Sequence, residues 1–255
     1  MWIALTRELS PRLADCELSF VDREPIDLDL ARLQHRAYQT KLSELGCEVR
    51  ELPATPELPD SVFVEDTAVV LDEIALITRP GADSRRAEIE TMADVLAEYR
   101  PIRRIVEPGT LDGGDVLRIG KRLFVGLSAR SNSAAIEQMQ TALAPFGYRV
   151  EGVPMRDCLH LKSAVTAVSD EAVLINPDWV DSDAFADFQQ LRVDPAEPHA
   201  ANVVRLEHGL IMPAGFPHTR DQLRNAGLVV HEVALSELQK AEGAVTCCSV
   251  LLRNI

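Results

Sequence analysis

Two adjacent cysteines near the end of the chain are the first residues whose type could do chemistry. Cys247 and Cys248 lie in the segment GAVTCCSVLLRN, residues 243–254. A thiol becomes a useful nucleophile when positive charge favours its thiolate, and a nearby histidine can act as the acid and base of the following steps. The pair therefore has two interpretations. Both cysteines fill a buried strand, or one of them is a reagent.

Two further segments could supply a histidine and a carboxylate that orients it. LHLKS (159–163) carries His160 alone among apolar residues, and TLDGGDVL (110–117) carries Asp112 ahead of two glycines. The glycines allow the backbone to run close to a ligand. Taken singly, the plainer interpretations are a core histidine and an Asp-Gly turn before a strand. Taken with a cysteine, they complete a Cys-His-Asp set.

A third segment, PDSVFVED (59–66), carries three carboxylates around a short apolar run. They belong to Asp60, Glu65 and Asp66. Asp66 directly precedes a strand that should be buried. Because a buried carboxylate is costly without a cation, the sequence predicts a positively charged partner for Asp66.

The elements that would position these residues repeat along the chain. Four segments share a polar residue, a short apolar run, a tight polar turn and a second apolar run, which is the pattern of a β-hairpin. They are residues 66–78 (DTAVVLDEIALIT), 115–126 (DVLRIGKRLFVG), 163–176 (SAVTAVSDEAVLIN) and 202–212 (NVVRLEHGLIM).

Each hairpin is followed by an amphipathic segment, and in most units a further apolar run can be identified after it. Caps and glycine stops predict helices over 84–99, 131–146, 183–190 and 219–226. The following strands are predicted at 104–106, 148–153 and 228–233. The repeated unit is therefore ββαβ.

A fifth unit forms if the two ends of the chain are joined. Strands 248–252 and 2–6 make its hairpin, a helix spans 29–45, and strand 48–52 completes it. Five units close a ring, so the predicted fold is an α/β five-bladed propeller with pseudo-fivefold symmetry, in a single domain over residues 1–255. The alternative is an ordinary α/β sheet. A ring would bring together the residues at the start of each first strand, namely Glu65, Asp66, Asp112, Asp115, His160, Asn202, Cys247 and Cys248.

Composition and charge limit the class of protein. The chain has 255 residues, of which 46% are hydrophobic and 26% charged, with a formal net charge of −14. This charge opposes binding to nucleic acid and to anionic membranes, and it is compatible with a cationic small substrate. The opening MWIALT is interrupted too early to be a signal peptide, and five scattered cysteines do not suggest a disulfide framework. We therefore expect a cytoplasmic protein.

Seven motifs, taken in order over almost the whole chain, resemble a known family. They are PDSVFVED, ALITRPGADSRR, TLDGGDVL, VGLSAR, LHLKS, AANVV and VTCCSVL. This set resembles the dimethylarginine dimethylaminohydrolase family of the guanidine-modifying (pentein) superfamily. The resemblance implies a five-bladed α/β propeller, the fold that the repeats also suggest.

The resemblance assigns roles to the chemical residues. Cys247 matches the nucleophile, His160 the general acid and base, and Asp112 the carboxylate that orients the histidine. Cys248 would be a strand residue facing elsewhere. Some bacterial members have glutamate where Asp112 stands and methionine where Cys248 stands, so the chain is closer to the animal-type pattern.

The same resemblance assigns the substrate-binding residues. Asp66, supported by Glu65, would face the guanidinium group. Arg85 and Arg130 would hold the α-carboxylate. The α-amino group would bind to Asp60 and to the backbone carbonyls near Leu18 and Ala241. The loop over residues 8–25 has no clear periodicity and is long for a connection, so we expect a lid with Leu18 on its inner side.

The implied reaction is hydrolysis of Nω-methylated L-arginine to citrulline through a covalent thiouronium adduct on Cys247, with no metal and no cofactor. The partner would be a small molecule, and an oligomer is possible without being implied. The first alternative is an arginine deiminase or amidinotransferase of the same superfamily. Those enzymes usually carry aspartate two residues after the histidine, where this chain has Lys162, so a methylated substrate is favoured. The remote alternative is a non-catalytic, ring-shaped binding protein, and the charge and the Cys-His-Asp set argue against it.

Overall fold

Five three-stranded sheets make up the β-structure of the computed structural model, which describes residues 1–254. Within each sheet the middle strand pairs antiparallel with one neighbour and parallel with the other. The strands are β1 (Trp2–Arg7), β2 (Cys47–Leu52), β3 (Ala68–Val70), β4 (Ala75–Ile77), β5 (Ile102–Arg104), β6 (Val116–Ile119), β7 (Arg122–Leu127), β8 (Arg149–Pro154), β9 (Val165–Ala167), β10 (Ala172–Ile175), β11 (Gln189–Arg192), β12 (Val204–Leu206), β13 (Gly209–Pro213), β14 (Val230–Val233) and β15 (Val250–Arg253).

The two ends of the chain share one sheet, with the order β15-β1-β2. Trp2 of β1 lies opposite Arg253 of β15, and Leu5 lies opposite Val250. This pairing is the predicted hairpin of the fifth unit. The other four predicted hairpins are also present, as β3-β4, β6-β7, β9-β10 and β12-β13. The prediction of five hairpins is therefore confirmed.

Helices lie between the middle and outer strands of four units. They are α1 (Leu28–Glu44), α2 (Ile89–Leu96), α3 (Ser133–Leu143) and α5 (Pro217–Asn225), while the short α4 (Leu161–Ala164) and α6 (Ser236–Gln239) lie elsewhere. Polar caps explain where the two longest begin. The Asp27 carboxylate accepts from the backbone N–H groups of Asp29 and Leu30 ahead of α1, and the Asn132 side chain accepts from Ala135 N–H ahead of α3.

The helix predicted over residues 183–190 is wrong. A 3₁₀ turn, Ser182–Phe185, occupies the start of this segment, and Gln189 already belongs to β11. Phe185 is buried against Phe124, with the ring centroids 4.8 Å apart. This aromatic contact buries the apolar side chain without a helix. The helix predicted over 84–99 also begins later, because a 3₁₀ segment, Asp83–Glu88, precedes α2.

The inner strands of all five sheets line one cavity of about 1080 Å³. Residues three or four positions before these strands also line it, including Glu65, Gly113, Lys162 and Thr246. Hydrogen bonds connect members of this group that are distant in sequence. The predicted meeting of the strand starts is therefore observed, and it places the candidate chemical residues together.

No helix within residues 1–254 combines the length and apolar character that a membrane crossing requires.

Candidate active site

Cys247 lies in the turn before β15, with 9% of its surface exposed. Its backbone carbonyl accepts a hydrogen bond of 3.2 Å from the N–H of Glu65. Burial, together with the negative charges of Glu65 and Asp66, raises the pKa of the Cys247 thiol to about 12, although Lys162 acts in the opposite direction. Without a ligand, the sulfur is therefore a neutral thiol at pH 7.

Cys248 is more deeply buried than Cys247, and it does not lie in the strand that the sequence predicts for it. It is fully buried, and its Sγ donates to the carbonyl oxygen of Ala244 at 3.4 Å. It lies in the turn rather than in a strand, because β15 begins only at Val250. Burial raises the pKa of Cys248 as well. This thiol faces the apolar core, where it packs with the residues around Val245.

His160 forms a hydrogen bond with Asp112, with 3.0 Å between Nε2 and Oδ2. Its other ring nitrogen, Nδ1, lies 3.9 Å from Oδ1 of Asp66. Burial disfavours charge on this ring, but the carboxylates of Asp66, Asp112 and Asp115 outweigh it and raise the pKa of His160 to about 9. The imidazole is therefore protonated at neutral pH and can donate a proton.

Asp112 is held by backbone and side-chain contacts that fix its direction. Its Oδ1 accepts the N–H of Gly81 at 2.9 Å, and its own N–H donates to Ser131 Oγ at 3.0 Å. The residue has no exposed surface. With one oxygen fixed by Gly81, the other points at His160, which is the geometry that orients an imidazole.

Asp115 is one of the residues that the ring arrangement is predicted to bring together, although the sequence assigns it no role. Its Oδ1 accepts the N–H of Leu161 at 2.9 Å, and its Oδ2 accepts from Ser131 Oγ at 2.6 Å and Ser128 Oγ at 2.7 Å. Burial raises the pKa of Asp115 to about 6. Since Leu161 follows His160, Asp115 fixes the backbone beside the histidine.

Asp66 forms the buried ion pair that the sequence predicts for it, with Arg85 as the partner. Its Oδ2 lies 2.6 Å from Arg85 Nη1, and its Oδ1 accepts the N–H of Gly114 at 2.9 Å. Burial disfavours the ionised form, but the positive charges of His160 and Arg85 outweigh it and lower the pKa of Asp66 to about 2. This carboxylate is ionised at every pH at which the protein would work.

The two glycines after Asp112 are required by close approach. A Cβ at position 113 would lie 1.9 Å from the carbonyl oxygen of Glu65, and one at position 114 would lie 2.5 Å from His160 Nδ1. Both distances are impossible for a side chain. The Gly-Gly pair therefore allows the backbone to lie close against the backbone of Glu65 and the side chain of His160.

Both carboxylate oxygens of Glu65 already have partners. Oε1 lies 2.5 Å from Lys162 Nζ, and Oε2 accepts from Thr246 Oγ1 at 2.7 Å. Burial raises the pKa of Glu65 despite the ion pair with Lys162. Asn202 extends the network, since its Nδ2 donates to Thr246 Oγ1 and to the carbonyl of Lys162. The network ends at Thr246, next to Cys247.

The two arginines predicted to hold a carboxylate have different surroundings. The Arg85 guanidinium is buried and donates to Asp66, to both oxygens of Glu88, and to the carbonyls of Asp60 and Phe63. Only one N–H, on Nη1, has no acceptor among residues 1–254. Glu88 lies three residues after Arg85 on a helical turn, a spacing that signals such pairs.

Arg130 keeps more of its donors for a ligand. Its Nη2 donates to Ser19 Oγ at 3.2 Å, and its Nη1 lies 3.8 Å from Asp112 Oδ2. The residue is 8% exposed. Its guanidinium therefore lies between the His160-Asp112 pair and the 8–25 loop.

The residues predicted to bind an α-amino group lie around the 8–25 loop. Oδ2 of Asp60 accepts the N–H of Glu17 at 3.1 Å. Leu18 packs against the same apolar cluster as the buried Ala241. Leu13 and Cys16 are buried in this cluster too, so the loop is packed against the protein rather than extended.

One cluster within residues 1–254 has the ligand atoms for a metal ion. Oxygens of Asp66 and Asp112 and a ring nitrogen of His160 lie within 4.8 Å of one another. The positive charges of Arg85 and protonated His160 already balance these carboxylates, and a protonated imidazole is not a ligand. The donor set therefore favours proton chemistry over metal binding.

Comparison with known proteins identifies the family of the chain. The family model described as "N,N dimethylarginine dimethylhydrolase, eukaryotic" matches residues 19–250. The N(G),N(G)-dimethylarginine dimethylaminohydrolase of Streptomyces coelicolor is 42% identical over 253 residues, covering 99% of this chain and 97% of the relative. The chain belongs to the dimethylarginine dimethylaminohydrolase family.

Solved structures of this family superpose closely on the chain. A cysteine-to-serine variant of the Pseudomonas aeruginosa enzyme, complexed with citrulline, has a TM-score of 0.94 and 33% identity, with 99% of this chain and 100% of that chain covered. A histidine-to-glycine variant of a dimethylarginine dimethylaminohydrolase, in an adduct with S-methyl-L-thiocitrulline, gives the same TM-score, identity and coverage. The chain therefore has the family's α/β fold.

Proposed function

We propose that the chain hydrolyses Nω-methylated L-arginine to L-citrulline and methylamine or dimethylamine. The observation that carries the proposal is a buried thiol beside an ionised carboxylate, with a protonated histidine close to that carboxylate, in a chain of the dimethylarginine dimethylaminohydrolase family. Citrulline and a thiocitrulline derivative are the ligands of the two solved family structures.

The first step is ionisation of the nucleophile by the substrate. The Cys247 thiol has a pKa of about 12 because it is buried and lies near the negative charges of Glu65 and Asp66. A guanidinium cation bound beside Asp66 adds positive charge close to the sulfur, so it lowers the pKa of the thiol. The thiol proton leaves to water, and the thiolate then lies next to the electrophilic carbon.

The second step forms the covalent adduct. Sγ of Cys247 attacks the central guanidinium carbon, and the resulting tetrahedral species is neutral. His160, which is protonated at neutral pH, donates its proton to the methylated nitrogen as the C–N bond breaks. Amine departs, and a cationic thiouronium adduct remains on Cys247 beside Asp66.

The third step is hydrolysis of the adduct. His160, now neutral, takes a proton from a water molecule that attacks the same carbon. The C–S bond then breaks, citrulline forms, and the hydroxyl proton leaves as the sulfur regains its thiol form. Asp112 keeps the imidazole oriented in both steps through its hydrogen bond of 3.0 Å.

The α-amino and α-carboxylate groups of the substrate would fix its orientation. We assign the amino group to the Asp60 carboxylate and the carbonyls of Leu18 and Ala241. We assign the carboxylate to Arg130 and to the remaining N–H of Arg85. Arg85 cannot bind the substrate carboxylate through two parallel N–H groups, because Asp66 and Glu88 accept most of its hydrogen bonds.

A methylated substrate is favoured over arginine by the ion pair of Lys162 with Glu65. A deiminase site grips the unsubstituted nitrogens with two carboxylates. Here Lys162 and Thr246 occupy both oxygens of Glu65, so this carboxylate is not available as a second grip on the guanidinium. A dimethylated nitrogen has no N–H group to donate, and in such a site it therefore loses little binding energy relative to the unmethylated nitrogen of arginine.

The propeller and the cellular setting belong to the same proposal. We propose that the five sheets close into one ring and one domain, which a cavity lined by all five inner strands supports. We also propose action in the cytoplasm on a small molecule, without nucleic acid or membrane, as the charge of −14 suggests.

The test is amino-acid analysis of mixtures containing the protein and arginine, monomethylarginine or either dimethylarginine isomer. Release of citrulline from monomethylarginine and asymmetric dimethylarginine, with little from arginine, is the expected result. A clear preference for arginine would assign the chain to the deiminase alternative. Absence of citrulline from every substrate would leave the non-catalytic binding protein.

A further inference from the structure

The carboxylate of Glu242 binds three consecutive backbone N–H groups of the 8–25 loop. Ser19 N–H lies 3.0 Å from each oxygen, Val21 N–H donates to Oε1 at 2.9 Å, and Phe20 N–H donates to the same oxygen. A negatively charged acceptor makes such bonds stronger than neutral ones. Glu242 lies 221 to 223 residues away from its partners in the chain, so the contact is tertiary.

The backbone of Glu242 has a conformation that favours glycine. Its φ is +57°, in the left-handed region. Glu242 N–H donates to Gln239 O and Gly243 N–H donates to Leu238 O, the pair of bonds that caps a helix end with glycine in the left-handed position. A glutamate there is strained, and such strain is kept where a side chain has a task. Its task in this structure is the bond to the loop.

The contact adjoins both carbonyls that we assign to the α-amino group. Ala241 directly precedes Glu242, and Leu18 directly precedes Ser19. On the other side of Leu18, the N–H of Glu17 is bound by Asp60 at 3.1 Å. The loop is therefore fixed on both sides of Leu18, by Asp60 before it and by Glu242 after it.

We propose that Glu242 is a positioning residue for recognition of the substrate α-amino group. It fastens the 8–25 loop to the end of α6 and sets the separation of the Leu18 and Ala241 carbonyls, without touching the substrate. The inference rests on the proposed function for its consequence in catalysis. Loss of Glu242 weakens binding of α-amino acid substrates and leaves the reaction at Cys247 intact.

The test variant is Glu242→Gly, which removes the carboxylate together with the backbone strain, so misfolding does not explain a loss. Two measurements are made. Hydrogen-deuterium exchange with mass spectrometry follows the amides of Ser19, Phe20 and Val21 in the free protein. Steady-state kinetics with monomethylarginine, and with its analogue lacking the α-amino group, follows catalysis.

We expect faster exchange in residues 19–21 and a KM for monomethylarginine raised about tenfold with kcat nearly unchanged, as weakened binding of one charged group predicts. Discrimination against the deaminated analogue should shrink. A purely structural role would instead change both substrates equally. The matched control is Asp157→Gly, since Asp157 is the other non-glycine residue among 1–254 with positive φ, and neither readout should change.

Unchanged exchange in Glu242→Gly would overturn the contact to the loop. Faster exchange with an unchanged KM and unchanged discrimination would overturn its link to the α-amino group. Failure of the wild-type protein to release citrulline would instead contradict the proposed function, and the exchange experiment separates the two because it needs no substrate.

Discussion

Replacement of Lys162 by methionine removes the cation that lies 2.5 Å from Glu65 and keeps a side chain of similar length. The Lys162 and Glu65 side chains are only 14% and 12% exposed, so solvent screens the pair little. Removal of one partner from a buried ion pair costs about 3–5 kcal/mol, because the other charge stays buried and uncompensated. We expect Lys162→Met to lose stability on this scale and Lys162→Met/Glu65→Gln to recover most of it.

The same change should alter the choice of substrate. Without Lys162, the carboxylate of Glu65 is free to accept N–H groups of a guanidinium on a second side. Arginine offers two unmethylated terminal nitrogens, whereas asymmetric dimethylarginine offers one. One additional hydrogen bond between charged groups is worth about 1.5–3 kcal/mol, so kcat/KM for arginine relative to dimethylarginine should rise roughly tenfold to hundredfold.

Urea unfolding measures the first effect, and competition kinetics with both substrates measure the second. Lys121→Met is a suitable control, since Lys121 lies in the turn between β6 and β7 and forms an ion pair with Glu73 whose side chains are 50% and 31% exposed. A Lys162→Met variant with wild-type stability and an unchanged ratio of kcat/KM values would refute both the strength of the ion pair and its role in selecting the substrate.

Three further outcomes are expected. Cys247→Ser should abolish citrulline release while Cys248→Ser keeps most of it, and equal losses in two folded variants would contradict the choice of nucleophile. An agmatine-type analogue without the α-carboxylate should bind much more weakly, by about 1.5–3 kcal/mol, and near-equal turnover would remove Arg130 from the site. The pKa of His160 is raised from 6.5 to about 9, so its proton stabilises the fold fully below pH 6.5, and this contribution is lost between pH 6.5 and 9. Urea unfolding across that range should show the loss in the wild type and not in His160→Gln, and equal slopes would contradict the assignment.

The β-hairpins could be predicted from the sequence because their signals are local. Alternating apolar residues and tight polar turns mark β6-β7 and β12-β13 within 14 residues or fewer. Joining the two ends of the chain followed from the same local pattern, and the register of β1 with β15 agrees with it. The predicted helix over 183–190 failed because its apolar residues also suit packing of Phe185 on Phe124, which depends on a different unit.

The composition of the site could be predicted, but its internal pairing could not. Sequence motifs indicate the positions of Glu65, Asp66 and Arg85, yet they do not show which charges neutralise each other. Arg85 binds Asp66 and Glu88, and Lys162 binds Glu65, through contacts that span up to 97 residues. The task of Glu242 is equally hidden, since a single glutamate at a helix end has no sequence signal for a strained backbone.

The distribution of charge at the site links recognition of the substrate to activation of the nucleophile. Burial, together with the negative charges of Glu65 and Asp66, keeps the Cys247 thiol protonated, with a pKa of about 12. A cationic guanidinium both binds to these carboxylates and lowers the pKa of the thiol, and lowering that pKa by one makes ionisation easier by about 1.4 kcal/mol. A neutral isostere of the same shape gains neither effect. Selection of a cation therefore occurs twice, once in binding and once in forming the thiolate, although a single set of carboxylates is responsible for both.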